Sequence, residues 1–187
     1  MPPKPIVSRN DILIASIFLI RNKGIENVNA RSIAKALNCS TKPLFRVYEN
    51  MAELKEDVYG KATEYYESFL FRKRAGEEDA FLSMGLNYVR FAVAEKELFK
   101  FIFLSNNLKI KSLDELAGPQ NARKMIEHLV ASTGLQNKRA KELFAELWLL
   151  VHGIATILAT NPCELDDSEI ERLLNDAYTA KIQYLKE

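Results

Sequence analysis

The chain has 187 residues, of which 48% are hydrophobic and 27% charged, and it contains only seven glycines and six prolines. This composition favours a compact helical protein over a turn-rich one. Two widely spaced cysteines, Cys39 and Cys163, argue against a disulfide framework, and no apolar run reaches the roughly 18 residues of a membrane span. We expect no secretory signal and a cytoplasmic protein that does not cross a membrane.

The formal net charge of +1 is unevenly distributed along the chain. Residues 1–48 contain eight basic and two acidic side chains, a net charge of +6, which leaves −5 for the remainder. Such asymmetry predicts that the N-terminal end binds a polyanion. The alternative is an ordinary solvated basic surface.

Two helices are predicted in the first 37 residues. Ser8 and Asp11 resemble a capping box, and the helix that they open stops at Gly24. Asn29 can cap a second, short helix that ends near Leu37.

A short turn follows the second helix. Asn38 tolerates left-handed geometry, and Ser40 or Thr41 can cap a third helix with Pro43 in its first turn. Three residues would then separate the two helices, with Cys39 inside the turn. This spacing is typical of a helix-turn-helix, although an ordinary helical hairpin remains the alternative.

Longer helices are predicted in the rest of the chain. The first opens at an Asn50–Glu53 cap, and the last is capped by Asp166, Asp167 or Ser168. A polar run from Arg72 to Asp79, with Gly76, predicts a loop, and Gly118-Pro119 marks the start of a later helix that stops at Gly134. The predicted ranges are 50–71, 81–94, 97–104, 119–133, 138–160 and 167–185.

Residues 24–34 (GIENVNARSIA) and 38–48 (NCSTKPLFRVY) resemble the DNA-binding signature of the TetR/AcrR family of transcription regulators. The resemblance covers about residues 8–55. It implies an all-α protein with a three-helix helix-turn-helix DNA-binding domain over residues 1–49. A larger helical domain over residues 50–187 would bind an effector and form a homodimer.

The resemblance also implies which residues contact DNA. Thr41, Lys42 and Pro43 would face the major groove, and Phe45 would lie against the sugar–phosphate backbone, while Leu44 packs into the core. The full implied set of DNA contacts is Asn29, Arg31, Ser40, Thr41, Lys42, Pro43, Phe45, Arg46 and Tyr48.

Three positions depart from the family pattern. Asn38 stands in place of the usual glycine, Phe45 lacks the usual tyrosine hydroxyl, and Met51 replaces the usual phosphate-binding lysine. Loss of that cation predicts weaker DNA binding and a salt dependence shallower by about one unit of slope. Arg46 and Lys55 are candidates to compensate.

Residues 147–153 (LWLLVHG) resemble a Trp-x-x-x-His-Gly pattern in the ligand domains of many family members. The resemblance implies that the last two helices, 138–160 and 167–185, pair with their two-fold mates. The candidate interface residues are Leu147, Val151, Ile154, Leu173, Leu174 and Ala177.

Aromatic side chains in the larger domain could line an apolar pocket or simply form the core. The candidate effector-binding residues are Tyr65, Tyr88, Phe101, Trp148 and His152. His152 could equally be a core or interface histidine, and His128 has no second ligand at helical spacing. We expect no metal, no cofactor and no catalytic site, because phosphate-cradling loops and nucleophile motifs are absent from the sequence.

The sequence thus predicts a repressor that leaves a near-palindromic double-stranded operator when a small apolar or amphipathic effector binds. Two alternatives stay open. One is a TetR-like adaptor that has lost DNA binding, for which Met51 is the motive. The other is a helical ligand carrier or enzyme.

Overall fold

The computed structural model describes residues 7–72, 79–105, 111–116 and 120–187. Within these ranges the chain is helical and contains no strand, which confirms the all-α prediction. Loop residues 73–78 and the Gly118-Pro119 pair lie outside the described residues. The helices are α1 (Arg9–Lys23), α2 (Ala30–Ala36), α3 (Leu44–Val47), α4 (Met51–Leu70), α5 (Ala80–Ala94), α6 (Lys96–Phe99), α7 (Leu113–Leu116), α8 (Gln120–Thr133), α9 (Asn137–Thr160) and α10 (Asp167–Lys186).

The chain forms two compact units. Unit 1 comprises Met1–Ser68 and Glu95–Leu108, and unit 2 comprises Phe69–Ala94 and Lys109–Glu187. The chain therefore leaves unit 1 inside α4 and returns to it directly after α5. The predicted boundary between residues 49 and 50 separates a DNA-binding domain from an effector-binding and dimerisation domain. It is a division by function, and it stays a prediction.

The ends of α1 and α2 follow from local hydrogen bonding. Ser8 and Asp11 form the predicted capping box, and Gly24, with a φ of 81°, ends α1 as predicted. The Asn29 side chain accepts from the backbone N–H groups of Arg31 and Ser32, so the predicted cap of α2 is confirmed. Asn38 has the predicted left-handed conformation, with a φ of 50°.

The start of α3 differs from the prediction. The helix begins only at Leu44, residues 37–43 separate it from α2, and no side chain caps it. A cap from Ser40 or Thr41 would bond to an N–H two or three residues later, and Pro43 occupies one of those positions without an N–H. The Thr41 carbonyl instead accepts from the amides of Leu44 and Phe45.

Unit 1 has a small apolar core that holds these short helices. Most of its fully buried side chains come from α1, α2, α3, α4 and α6, and α1 packs against both α2 and α6. The largest core members are Ile12, Ile20, Ile33, Leu44, Leu54, Val58, Leu98, Phe99 and Ile102.

The helix predicted over residues 97–104 is not uniform. It consists of α6 followed by a turn of π-helix, Lys100–Leu104. The π-turn places Phe101 edge-on to Tyr59 and Phe103 edge-on to Tyr66, with ring centroids 5.9 and 5.0 Å apart. These pairs join the turn to α4 within unit 1.

Unit 2 is built around α9, which packs against α5, α8 and α10. Ten of the 24 residues of α9 are buried, and neighbouring helices bury them, as its broad apolar pattern predicts. The Asp166 side chain caps α10 in a capping box with Glu169, and Gly134, with a φ of 73°, follows α8. The short helix α7 was not predicted.

By length and composition alone, α9 could cross a membrane, but half of its most apolar window is buried within the fold. A helix in the core of a fold passes the same test, so the hydropathy of α9 is weak evidence for a membrane span.

Candidate DNA-binding face and effector region

The helix-turn-helix segment, from α2 to α3, presents four exposed cations, which are Lys35 and the three predicted DNA contacts Arg31, Lys42 and Arg46. Arg31 lies in the first turn of α2, Lys42 lies in the turn before α3, and Arg46 lies within α3. Leu44 points the other way and is 1% exposed in the core of unit 1. The burial of Leu44 therefore turns Lys42 and Arg46 outward, as a recognition helix requires.

The other predicted DNA contacts in this segment have mixed exposure. Ser40 and Asn29 are exposed, whereas Thr41 and Pro43 are half-buried. The Asn29 side-chain oxygen already accepts from two α2 amides, at 3.1 and 3.0 Å. These two amides are therefore occupied by the cap.

Tyr48 has a different environment from the rest of the set, since its side chain is only 2% exposed. Its hydroxyl donates to the Asp57 carboxylate at 2.5 Å, and the Arg9 Nε donates to the same oxygen at 2.6 Å. The cluster ties α1, the end of α3 and α4 together within unit 1. Sequence spacing gives no sign of it, because Arg9 and Asp57 are 48 positions apart.

The pKa values in this cluster are shifted because Arg9 and Tyr48 both donate hydrogen bonds to the Asp57 carboxylate. The hydrogen bond from Arg9 lowers the pKa of Asp57 below its ordinary value, with a further contribution from the Tyr48 hydroxyl. Burial raises the pKa of Tyr48 to about 12, so its hydroxyl stays protonated and donates at neutral pH. The side chain of Tyr48 thus supports the position of α3.

Met51 is the first residue of α4 and is half-buried. Lys55, one helical turn later, is exposed, as is Arg46. Both proposed substitutes for the missing lysine are therefore accessible to solvent.

A second polar cluster in unit 1 surrounds Glu95, which is 7% exposed. The Arg21 guanidinium donates to both carboxylate oxygens, at 2.7 and 2.6 Å, and the Tyr65 hydroxyl donates at 2.8 Å. The hydrogen bonds that Arg21 donates to Glu95 raise the pKa of the guanidinium. The cluster fixes the C-terminal part of α1 to α4 and to the residue that precedes α6.

Three of the five predicted effector residues lie together in unit 2. The Tyr88 hydroxyl and His152 Nδ1 are 2.8 Å apart, so they form a hydrogen bond. The His152 ring stacks on Trp148, with centroids 4.7 Å apart and planes at 6°, and Tyr88 lies edge-on to Trp148. Partial burial lowers the pKa of His152, so the imidazole is neutral at pH 7.

The other two predicted effector residues lie in unit 1 and have structural partners there. Tyr65 binds Glu95, and Phe101 is buried against Tyr59. The structure thus brings Tyr88, Trp148 and His152 together in unit 2, whereas Tyr65 and Phe101 belong to unit 1.

The predicted dimer residues are mostly part of the protomer's own core. Leu147, Val151, Ile154 and Leu174 are buried within unit 2, and Ala177 is half-buried. Leu173 is the exception, since it is 44% exposed.

Other apolar side chains on the same two helices are exposed. Leu149, Gly153 and Ile157 repeat every four residues along α9 and form one exposed stripe. On α10, Tyr184 is exposed, and its neighbour Lys181 pairs with Glu146 of α9 at 2.8 Å. A shallow groove of about 540 Å³ runs between the two helices, floored by Leu147, Leu150, Ala177 and Ala180.

Among the residues that the structure describes, no group of three or more His, Cys, Asp or Glu side chains could hold a metal ion. His128 is exposed on α8.

These features define an all-helical protein of two units, with two short helices and an exposed basic face near its N-terminus. The family profile described as the tetracyclin repressor-like C-terminal domain matches residues 81–180, which is more than half of the chain. The chain belongs to the TetR family of transcription regulators.

Comparison with a solved structure supports the fold along most of the chain. A transcriptional regulator from Rhodococcus sp. Rha1 superposes with a TM-score of 0.65 at 16% sequence identity, over 95% of this chain and 97% of that one. No curated protein matches the sequence.

Proposed function

We propose that this protein is a DNA-binding repressor whose release from its operator is controlled by a small molecule. The observation that supports this function best is the exposed trio Arg31, Lys42 and Arg46 on the helix-turn-helix segment of a TetR family member. These cations belong to the part of the chain with a net charge of +6.

Each cation has a physical task on DNA. Lys42 and Arg46 can neutralise phosphates and release counterions, which gives binding its dependence on salt. Arg31 has a planar guanidinium that can donate two hydrogen bonds to the O6 and N7 acceptors of guanine in the major groove. Phosphate contacts position the protein, and base contacts of this kind give sequence preference.

A homodimer is the form that we propose to bind the operator. The exposed stripe Leu149–Gly153–Ile157 on α9 and the exposed Leu173 on α10 lie on the two helices proposed to pair. A two-fold dimer would place two recognition helices about 34–36 Å apart, so the operator would be a near-palindrome. We propose that the dimer acts in the cytoplasm.

The effector site that we propose is the Tyr88–Trp148–His152 group. It combines two aromatic faces with a hydroxyl and a neutral imidazole, the mixture of apolar surface and few polar groups that suits a small apolar or amphipathic molecule. An effector that binds more tightly to the state unable to grip DNA would release the operator. Nothing in this arrangement requires catalysis.

The test of DNA binding is in-vitro selection from randomised duplexes, followed by salt titration of the selected sequence. We expect a near-palindrome, and we expect Lys42→Ala and Arg31→Ala each to weaken binding by about tenfold or more. Lys42→Ala should also reduce the slope of log affinity against log salt by about one unit.

Lys124→Ala is the matched control, because Lys124 is an exposed lysine of α8 outside the basic face. It should leave affinity and slope unchanged. If no sequence is enriched even at low salt, the repressor is ruled out and the adaptor suggested by Met51 replaces it.

Trp148 is the single tryptophan of the chain, so its fluorescence reports on the proposed effector site. A compound from a small-molecule library that releases the protein from the selected operator should change the fluorescence emission of Trp148. The Tyr88→Phe substitution should lower the affinity for that compound by about three- to tenfold. Tyr184→Phe removes an exposed hydroxyl of the same unit and serves as the control. Release without any change in emission, and with equal potency on Tyr88→Phe, would place the effector elsewhere.

A further inference from the structure

Phe45 is a large apolar side chain that the fold holds in solvent. It lies in α3 and is 50% exposed, although Leu44 before it and Tyr48 after it are buried in unit 1. Because its neighbours fix which side of α3 faces the core, Phe45 cannot turn inward without displacing them. Its exposure is therefore a consequence of the helix register.

The surroundings of Phe45 restrict what can cover it. Lys42, three residues earlier, and Arg46, the next residue, are both exposed. An apolar protein surface that covered the ring would have to desolvate both cations, which is costly. A suitable partner must offer anionic groups and an apolar group within a few ångströms of each other.

DNA offers this combination in its major groove. Phosphates line the groove, and the thymine C5-methyl is the apolar group on its floor. A phenyl ring has no hydroxyl to donate to a phosphate oxygen, so a backbone position gives Phe45 no hydrogen bond. Contact with a methyl group removes apolar surface from water on both partners.

We propose that Phe45 reads the 5-methyl group of thymine, so that each operator half-site contains a thymine where Phe45 meets the major groove. This assignment rests on the proposed function and departs from the backbone position that the family resemblance implies. Phe45 is then a residue that determines the operator sequence, and the protein prefers an A·T pair at that position.

The size of the effect follows from the area of one methyl group. Burial of one such group contributes about a fourfold change in affinity. In a two-fold complex both half-sites contribute, so loss of the methyl from both gives about a 15-fold change.

The experiment uses the full-length protein and its selected operator. Each thymine is replaced symmetrically in both half-sites by deoxyuridine, which removes the methyl group and keeps every hydrogen-bonding group of the base. We expect one such pair of replacements to weaken binding by about 15-fold for the natural protein. The same pair should have no effect on Phe45→Ala, while Arg46→Ala should bind more weakly and keep the thymine-to-uracil ratio.

Three results would overturn the assignment. The first is a selected half-site that contains no thymine. The second is an unchanged affinity of the natural protein after every deoxyuridine replacement. The third is a Phe45→Ala variant that still binds the thymine operator more tightly than the deoxyuridine operator. In each of them salt-dependent operator binding persists, so the repressor proposal survives. If no duplex binds at all, the repressor and this assignment fail together.

Discussion

Replacement of Arg21 by alanine is expected to lower the free energy of unfolding by about 2 kcal/mol, because it leaves the buried Glu95 carboxylate without its bidentate cation. Loss of one partner of a fully buried ion pair costs about 3–5 kcal/mol. Arg21 is itself half exposed, so water can reach part of the vacated space and reduces the cost. Urea unfolding, monitored by circular dichroism, measures this change in the free energy of unfolding.

Two variants separate this effect from the simple loss of a surface arginine. Arg139 pairs with Glu142 in an exposed ion pair on α9, so Arg139→Ala should change stability by less than about 0.5 kcal/mol. In the Arg21→Ala background, Glu95→Gln removes the stranded charge and should recover part of the loss. Equal effects of Arg21→Ala and Arg139→Ala would show that the Glu95 cluster does not stabilise unit 1.

Gly153→Gln is expected to convert the proposed dimer into monomers at micromolar concentration. A side chain at Gly153 meets nothing within 4 Å in the protomer, so the protomer itself tolerates the change. If the Leu149–Gly153–Ile157 stripe packs on its two-fold mate, the added side chain acts as a wedge. Overpacking costs about 1–3 kcal/mol per site, and symmetry applies it twice.

Gly60→Gln is the matched control. Gly60 is also an exposed helical glycine with no atom within 4 Å of a built Cβ, but it lies on α4. Both substitutions should stabilise their helices by up to about 1 kcal/mol. Sedimentation velocity then compares the two variants, and a Gly153→Gln dimer as tight as the Gly60→Gln dimer would exclude the stripe from the interface.

Local features that depend on a few consecutive residues, such as helix caps, were predictable from the sequence. The Ser8–Asp11 box, the Asn29 cap and the left-handed Asn38 are each fixed by hydrogen bonds or sterics within four positions. The start of α3 was predicted wrongly because Pro43 supplies a helical φ but removes the N–H that a side-chain cap needs.

Features that depend on distant pairs were not predictable from spacing. Tyr88, Trp148 and His152 were proposed for one site on residue type and resemblance, but the Tyr88–His152 hydrogen bond joins positions 64 apart. Tyr65 has the same aromatic chemistry as Tyr88, and only its position beside Glu95 shows that its hydroxyl has a structural partner. Likewise, periodicity marked Leu147 and Val151 as apolar but could not say whether they face the protomer or a second copy.

Unit 1 is assembled from two separate stretches of chain, Met1–Ser68 and Glu95–Leu108, with α5 between them. During synthesis the first stretch therefore waits for α5 to be translated, a few seconds at about 5–20 residues per second, before Glu95 can reach Arg21 and Tyr65. The same interruption affects protein engineering. A chimera that exchanges operator preference between relatives must transplant both stretches, since residues 1–68 alone would lack the carboxylate that links α1 to α4.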